Sequence, residues 1–372
     1  MLKINPRFLQ LLICKQRLTD VRSRLKRRNL DAYLISSPSN KYYLTGWKGD
    51  VESGFVLITQ KKKFIITDSR YTEHAIRESS GFEVIEIDEG VGPALREIIH
   101  KKKLRRIGYE SHHLDVFSFK RIKKYLKSVR LVPVAHLVEE VRSVKDEVEI
   151  ANIKKAVGIG QKAFKHILKF IRPGITEKQV AWEMERYMRG LGAEKAAWDP
   201  FIVAAGKNSS VAHWGAGDTK IKKGDSVQLD YGCSFRGYVC DISRVIFVGK
   251  PTSEQKRIYN LVLEAQRLAL NLVKSGRQAA TIDKKVRAFL EKHTKHFYRH
   301  ALGHGLGLEV HELPYVNILR KNKLAAGNVI TIEPGIYIPG WGGIRIEDMV
   351  LVTKEGCELL TKAPKKIEEV TI

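Results

Sequence analysis

The residues best suited to chemistry are four carboxylates and four histidines in the last 160 or so positions. Gln228-Leu229-Asp230-Tyr231-Gly232 and Val239-Cys240-Asp241-Ile242-Ser243-Arg244 both have the composition of β-strands, and Phe235-Arg236-Gly237 between them can form a tight turn. A turn centred on Phe235–Arg236 would set Asp230 opposite Asp241, with Cβ atoms about 5 Å apart. A bulge would shift that register. Two facing carboxylates repel, so without a cation at least one keeps its proton; a divalent metal removes the conflict. Taken alone, the pair could also be two solvent-facing acids on a hairpin, although apolar neighbours on both strands count against this.

Two further acids lie at the ends of β-like runs. In Val329-Ile330-Thr331-Ile332-Glu333-Pro334-Gly335, alternation puts Thr331 and Glu333 on the face opposite Ile330 and Ile332. In Gly343-Ile344-Arg345-Ile346-Glu347-Asp348-Met349, Arg345 and Glu347 share a face. Acids in apolar surroundings are paired or metal-bound. An ion pair with Arg345 would account for one of the four. The histidines complete the set. His304 lies among glycines in Leu302-Gly303-His304-Gly305-Leu306-Gly307, where backbone can approach an ion or substrate closely. His300 and His311 flank it, and His213 stands in Val211-Ala212-His213-Trp214. A zinc-binding HExxH helix is absent, because His311-Glu312 runs into Leu313-Pro314. Any one of these histidines could be structural; together with four acids, metal chemistry is the simpler account.

The elements that must position these residues divide the chain. Residues 11–29 read as a basic amphipathic helix, with Leu11, Leu12, Leu18, Val21 and Leu25 on its apolar positions. β-like runs follow at 32–35, 55–59, 64–67, 84–87 and 106–109, with helical patterns at 91–100 and 117–126. This alternation predicts an α/β first domain over residues 1–138. The charged helical stretch from Glu139 to about Leu168 opens a second domain, residues 139–372, in which glycine-punctuated strands begin near Phe201 and one further helix spans about 254–274. The fold class is α+β.

These motifs resemble the pita-bread metallopeptidases, in particular the aminopeptidase P and Xaa-Pro dipeptidase (prolidase) group, over nearly the whole chain. Asn40-Lys41-Tyr42-Tyr43-Leu44-Thr45-Gly46 and Asp68-Ser69-Arg70-Tyr71 are similar to a creatinase-type N-terminal domain, and Arg142-Ser143-Val144-Lys145 to the join into the catalytic domain. The resemblance implies that Asp230, Asp241, His304, Glu333 and Glu347 hold two divalent metal ions, manganese or cobalt with zinc possible. Asp241 and Glu347 would bridge the ions, Asp230 would serve one, and His304 and Glu333 the other. It further implies Glu333 as general base and proton shuttle, and His213 and His311 as oxyanion and proton-transfer groups. His300 and Tyr337 would lie on the substrate side, and Arg345 would fix Asp230 or a neighbouring acid. The substrates would be proline-containing peptides, and the assembly a homodimer. Many short members carry arginine after the proline of the HE segment, where it is associated with gripping the free carboxylate of a dipeptide; here Tyr315 follows Pro314. That departure, with Trp214 after His213, leans towards removal of an N-terminal residue preceding proline.

Composition narrows the alternatives. No apolar run among the 372 residues approaches a membrane span. Phe8–Cys14 is too short and too soon followed by Lys15 for a secretion signal, and reads instead as the start of an amphipathic helix. Four cysteines, none in a CxxC pair, suggest buried small hydrophobes in a reducing, cytoplasmic setting. The net charge of +25 is densest in residues 1–140, with 28 Lys and Arg against 16 Asp and Glu. Runs such as 22–28, 101–106 and 120–130 hold no aromatic beyond Tyr125 and no reading helix. They therefore read as solvated surface rather than a specific nucleic-acid site. A non-catalytic binding protein on the same fold is the competing class, and loss of a metal ligand would be its signature; none is lost.

Overall fold

A computed structural model describes residues 6–372, with the side chains of residues 6–13 outside the description. Leu11 and Leu12 therefore lie outside it, whereas Leu18, Val21 and Leu25 are buried. The chain forms two compact units, Met1–Arg142 and Ser143–Ile372.

Among the described residues the first unit contains six strands: β1 (Ala32–Ile35), β2 (Phe55–Thr59), β3 (Lys63–Thr67), β4 (Glu83–Glu86), β5 (Arg106–Glu110) and β6 (Arg130–Val134). They form one mixed sheet in the order β4-β3-β2-β1-β5-β6. Its helices are α1 (Pro6–Arg27), α2 (Pro38–Thr45), α3 (Thr72–Glu78), α4 (Val91–Lys102), α5 (Val116–Tyr125) and α6 (Glu139–Arg142). Strand β1 is buried at every position, as a central strand covered on both faces must be. The sixth strand was not legible because it carries Pro133 and follows a basic run; edge position makes that proline tolerable. Helices α2 and α3 were likewise unread. Much of the basic charge has a local cause. The runs at 22–28, 101–106 and 120–130 overlap the last turns of α1, α4 and α5, where Arg24, Lys26 and Arg27, then Lys101 and Lys102, then Lys123 and Lys124 face the negative helix ends.

The division falls after Arg142 rather than after Val138. The expected helix from Glu139 is broken at residues 143–146, and α6 is bonded into the first unit. Asn40 Nδ2 donates to Glu139, Arg142 donates to Asn40, and Arg24 and Arg28 pair with Glu140.

The second unit has helices α7 (Glu147–Phe170), α8 (Glu177–Gly190), α9 (Ser253–Leu272) and α10 (Ala279–Glu291). Three start in capping boxes, Asp146/Glu149, Thr176/Gln179 and Thr252/Gln255, in which side chains answer the first unpaired backbone N–H groups. Helix α10 corrects the expectation of a single helix after residue 201. Its apolar positions Ile282, Val286 and Leu290 recur at helical spacing, but Lys284, Lys285 and Arg287 make the stretch look like polar surface.

The strands are β7 (Lys195–Ala196), β8 (Ile202–Ala205), β9 (Ser226–Tyr231), β10 (Cys233–Phe235), β11 (Tyr238–Val239), β12 (Ile242–Phe247), β13 (Gly303–Gly305), β14 (Glu312–Val316), β15 (Val329–Ile332), β16 (Gly335–Ile338), β17 (Gly342–Arg345), β18 (Asp348–Val352) and β19 (Cys357–Leu359). They form sheets ordered β12-β9-β8, β11-β10-β7, β14-β13-β15-β18-β19 and β16-β17. No helix of the described residues is long and apolar enough to cross a membrane. Cys233 and Cys240 are fully buried, whereas Cys14 and Cys357 are half-buried, and none of the four is in a disulfide.

Candidate metal centre

Two interrupted hairpins carry the acids. In the first, Phe235 pairs with Tyr238, so the turn is Arg236–Gly237, not Phe235–Arg236. Both turn residues have positive φ, +49° and +79°, as a two-residue turn matched to strand twist requires, and Gly237 meets the second demand at no steric cost. The pairing therefore slips by two residues: Asp230 lies opposite Ser243, correcting the expected Asp230–Asp241 pair. A two-residue slip keeps every side chain on its face, so Asp230 and Asp241 become diagonal neighbours on the same side. Asp241 sits in the break between β11 and β12, and its backbone N–H donates to Met349 Sδ at 3.3 Å instead of joining a ladder.

The second hairpin repeats the device. Ile332 pairs with Asp348 before the interruption, and Gly335 with Arg345 after it. The same register holds on both sides, which sets Glu333 across from Glu347 in the gap. His304 comes from β13, whose pairing with β14 shifts between His304 and Gly305. Bulges of this kind re-aim a side chain. The flanking glycines follow from close backbone approach: a Cβ on Gly303 would lie 2.0 Å from the Thr331 carbonyl oxygen, and one on Gly305 2.3 Å from that of Leu313. Gly303→Ala should therefore cost about 1–3 kcal/mol or more in a urea melt of the metal-stripped chain, and lower the metal retained on dialysis because the strand carrying His304 must move.

These elements enclose a cavity of about 140 Å³ lined by His213, Asp230, Asp241, His300, His304, His311, Tyr315, Glu333, Arg345 and Glu347 among others. Asp241, His304 and Glu347 offer ligand atoms that all lie within 4.8 Å of one another. His304 Nε2 is 3.3 Å from Glu333 and 3.6 Å from Asp241. Its Nδ1 donates to the Gly305 carbonyl at 3.0 Å, which fixes the ring and turns Nε2 to the acids. Thr331 Oγ1 accepts from the His304 N–H and donates to Glu333. All ten expected site residues are brought together here, Tyr337 through hydrogen bonds rather than the wall itself.

Charge in the cavity is unbalanced. Burial, then the neighbouring carboxylates, pushes Asp241 and Glu347 well above the usual carboxyl range. Burial also opposes ionisation of Glu333, but the His304 hydrogen bond and nearby positive groups bring it down to about 2. His304 is raised in return: its pairing with Glu333 outweighs burial. Burial lowers His300 and His311, which favours their neutral forms. Asp230 Oδ2 takes a 2.6 Å bond from Arg345, while its Oδ1 is buried without a hydrogen-bond partner. Orphan acceptors and proton-holding acids around His304 are the donor set of hard-to-borderline divalent cations, and cations at this cavity would satisfy them.

Around this centre, Arg345 also donates to Ser243 Oγ at 2.9 Å and to the Tyr337 hydroxyl at 2.7 Å. Tyr337 in turn reaches His300 Nε2 at 3.0 Å, and His300 Nδ1 donates to the Ala301 carbonyl. Three supports were not singled out from sequence. Glu177 is buried and accepts from Ala205 N, Asn208 Nδ2, Trp214 Nε1 and Gly217 N, fixing the segment that carries His213. Lys145 pairs with Glu312 at 3.1 Å, both buried, beside His311. Arg244 pairs with Asp348 and donates to the Glu347 carbonyl at 2.6 Å. Only Arg244 left a signal, a cation within the apolar run of β12.

The geometry agrees with what the chain is similar to. The model of metallopeptidase family M24 matches residues 151–354, and that of the creatinase/prolidase N-terminal domain matches residues 17–144. The chain belongs to metallopeptidase family M24. An uncharacterized peptidase of Bacillus subtilis is 38% identical over 94% of this chain and 99% of its own length. Among solved structures, an Xaa-Pro dipeptidase from Bacillus anthracis superposes with a TM-score of 0.92 at 36% identity, covering 96% of this chain and all of that one. An X-Pro aminopeptidase from Thermotoga maritima gives 0.86 at 36% identity, covering 94% of this chain and all of that one. The M24 chain thus has the pita-bread catalytic fold behind a creatinase-type first domain.

Proposed function

We propose that this M24 chain hydrolyses the bond preceding proline, removing an N-terminal residue, with Asp230, Asp241, His304, Glu333 and Glu347 holding two divalent cations, manganese or cobalt with zinc possible. The observation that carries the reading is the convergence of four acids and His304 on one cavity whose lining holds a single arginine, Arg345, and no lysine. Bound cations would polarise the scissile carbonyl and acidify a water. Glu333, ionised, accepts the proton of the attacking water and returns it to the leaving proline nitrogen. His311, neutral, and His213 line the same wall and donate hydrogen bonds to the developing oxyanion. Arg345 holds Asp230 in place, and the Arg345–Tyr337–His300 chain orients His300 towards substrate.

Tyr315 supports the aminopeptidase form: it lines the cavity with a phenol where a dipeptidase would use a guanidinium on the substrate carboxylate. The dipeptidase form is the second reading, favoured by the printed name of the Bacillus anthracis structure. Hydrolysis of Xaa-Pro beside Xaa-Pro-Xaa by the manganese-loaded chain separates them. Preference for the tripeptide is expected; preference for the dipeptide would keep the site and overturn the assignment of Tyr315. Cleavage of neither peptide, with metal bound, would overturn both and favour a binding protein on this fold.

A further inference from the structure

We propose that His112, His136 and Glu139 form a second, separate metal site in the first unit, taking a divalent transition-metal ion of the zinc class. Sheet register creates the juxtaposition. Strands β5 and β6 run parallel with Glu110 paired to Val134, so His112 and His136, each two residues beyond the paired ends, leave the same edge of the sheet. Crevices outside the carboxyl ends of parallel strands are where α/β sheets bind ligands. The two rings lie 4.4 Å apart between centroids, and Glu139 enters from the first residue of α6. Ligand atoms of the three side chains lie within 4.8 Å of one another.

Two further features set the cluster apart from an ordinary histidine–carboxylate pair. Glu139 Oε1 is engaged by Asn40 Nδ2 at 2.6 Å and His112 Nε2 at 3.0 Å, while Glu139 Oε2 is buried with no hydrogen-bond partner. A buried carboxylate oxygen left unmatched is costly, and a cation is the partner that both imidazoles could share. His136 is also held at φ +58°, one of few non-glycine residues in the left-handed region, and strain of that kind persists where a side chain must be aimed. Two imidazoles and a carboxylate with an open fourth position are a zinc donor set. The ion would tie together the loops after β5 and β6 and the first turn of α6.

The test uses the full-length, tag-free chain and zinc alone. An Asp241→Asn/Glu347→Gln background removes the two acids that would bridge the catalytic ions and so weakens that site. Equilibrium dialysis with metal analysis should then find one zinc per chain. His136→Gly should weaken that binding at least about tenfold without unfolding the protein, because glycine accepts the left-handed backbone freely; circular dichroism and melting verify this. His112→Ala should act in the same direction. Zinc should raise the melting temperature of the background chain but not of its His136→Gly form. No zinc bound by the background, or zinc retained unchanged through both substitutions, would overturn the site.

Discussion

Asp241→Asn and Glu347→Gln should each lower kcat/KM for Xaa-Pro-Xaa cleavage by about a thousandfold or more, roughly 4 kcal/mol of transition-state stabilisation. Each exchange keeps the side-chain shape and removes one carboxylate from a cluster of four acids whose lining holds a single arginine, Arg345, and no lysine. The signature lies in the opposite response of stability. In the metal-stripped chain these carboxyls are forced above their ordinary range by burial and mutual repulsion, so the amides should leave the stripped protein melting no lower than the parent. Activity falling while apo stability holds or rises is the pattern of a functional site that strains its fold. Steady-state kinetics and thermal melts of the same preparations check it. A variant that lost stability and activity together would point to a packing role instead.

Metal removal should lower the melting temperature, and by more as pH rises from about 5 to about 8. The sign follows from the groups involved. Asp241 and Glu347 have folded-state values above their ordinary 3.8 and 4.5. Their favourable protonated contribution is complete below those values and is lost as pH climbs towards the folded ones. His304 is raised above 6.5 and acts in the same direction. Glu333, depressed to about 2, acts oppositely: its contribution is present above 4.5 and is lost only as pH falls towards 2. Bound cations stabilise the ionised acids and compete with protons, so the gap between loaded and stripped protein widens with pH. Melts with and without chelator across this range measure the gap; a constant or narrowing gap would contradict the assignment of the acids as ligands.

Much of this centre was legible because strand periodicity reports faces well. Alternation put Thr331 with Glu333 and Arg345 with Glu347, and both pairs meet in the cavity region. It reports register poorly. The first hairpin was displaced by two residues because its turn is set by which residues tolerate positive φ, and Gly237 outweighs the symmetric choice. The facing of Glu333 and Glu347 was invisible for a related reason: it depends on one register running through the break at Pro334 and Ile346, and each run alone looks like an ordinary strand end. Glu177 and the Lys145–Glu312 pair were hidden by distance along the chain, since a buried carboxylate bonding the His213 segment has no local pattern. Helix α10 was missed because its lysines and arginine mask a three-residue apolar stripe. The capping boxes, by contrast, are local, and begin α7, α8 and α9 where the sequence spacing allows.

A back-titration with metal tests the two-ion centre directly. The metal-stripped chain is loaded stepwise with manganese, and cleavage of an Xaa-Pro-Xaa peptide is followed against metal bound per chain. The His136→Gly form is used so that the first unit does not contribute. No cleavage is expected in the stripped protein, and activity should appear as the cavity fills, reaching its plateau at two bound ions. Cleavage that persists unchanged in fully stripped protein would contradict the two-ion centre.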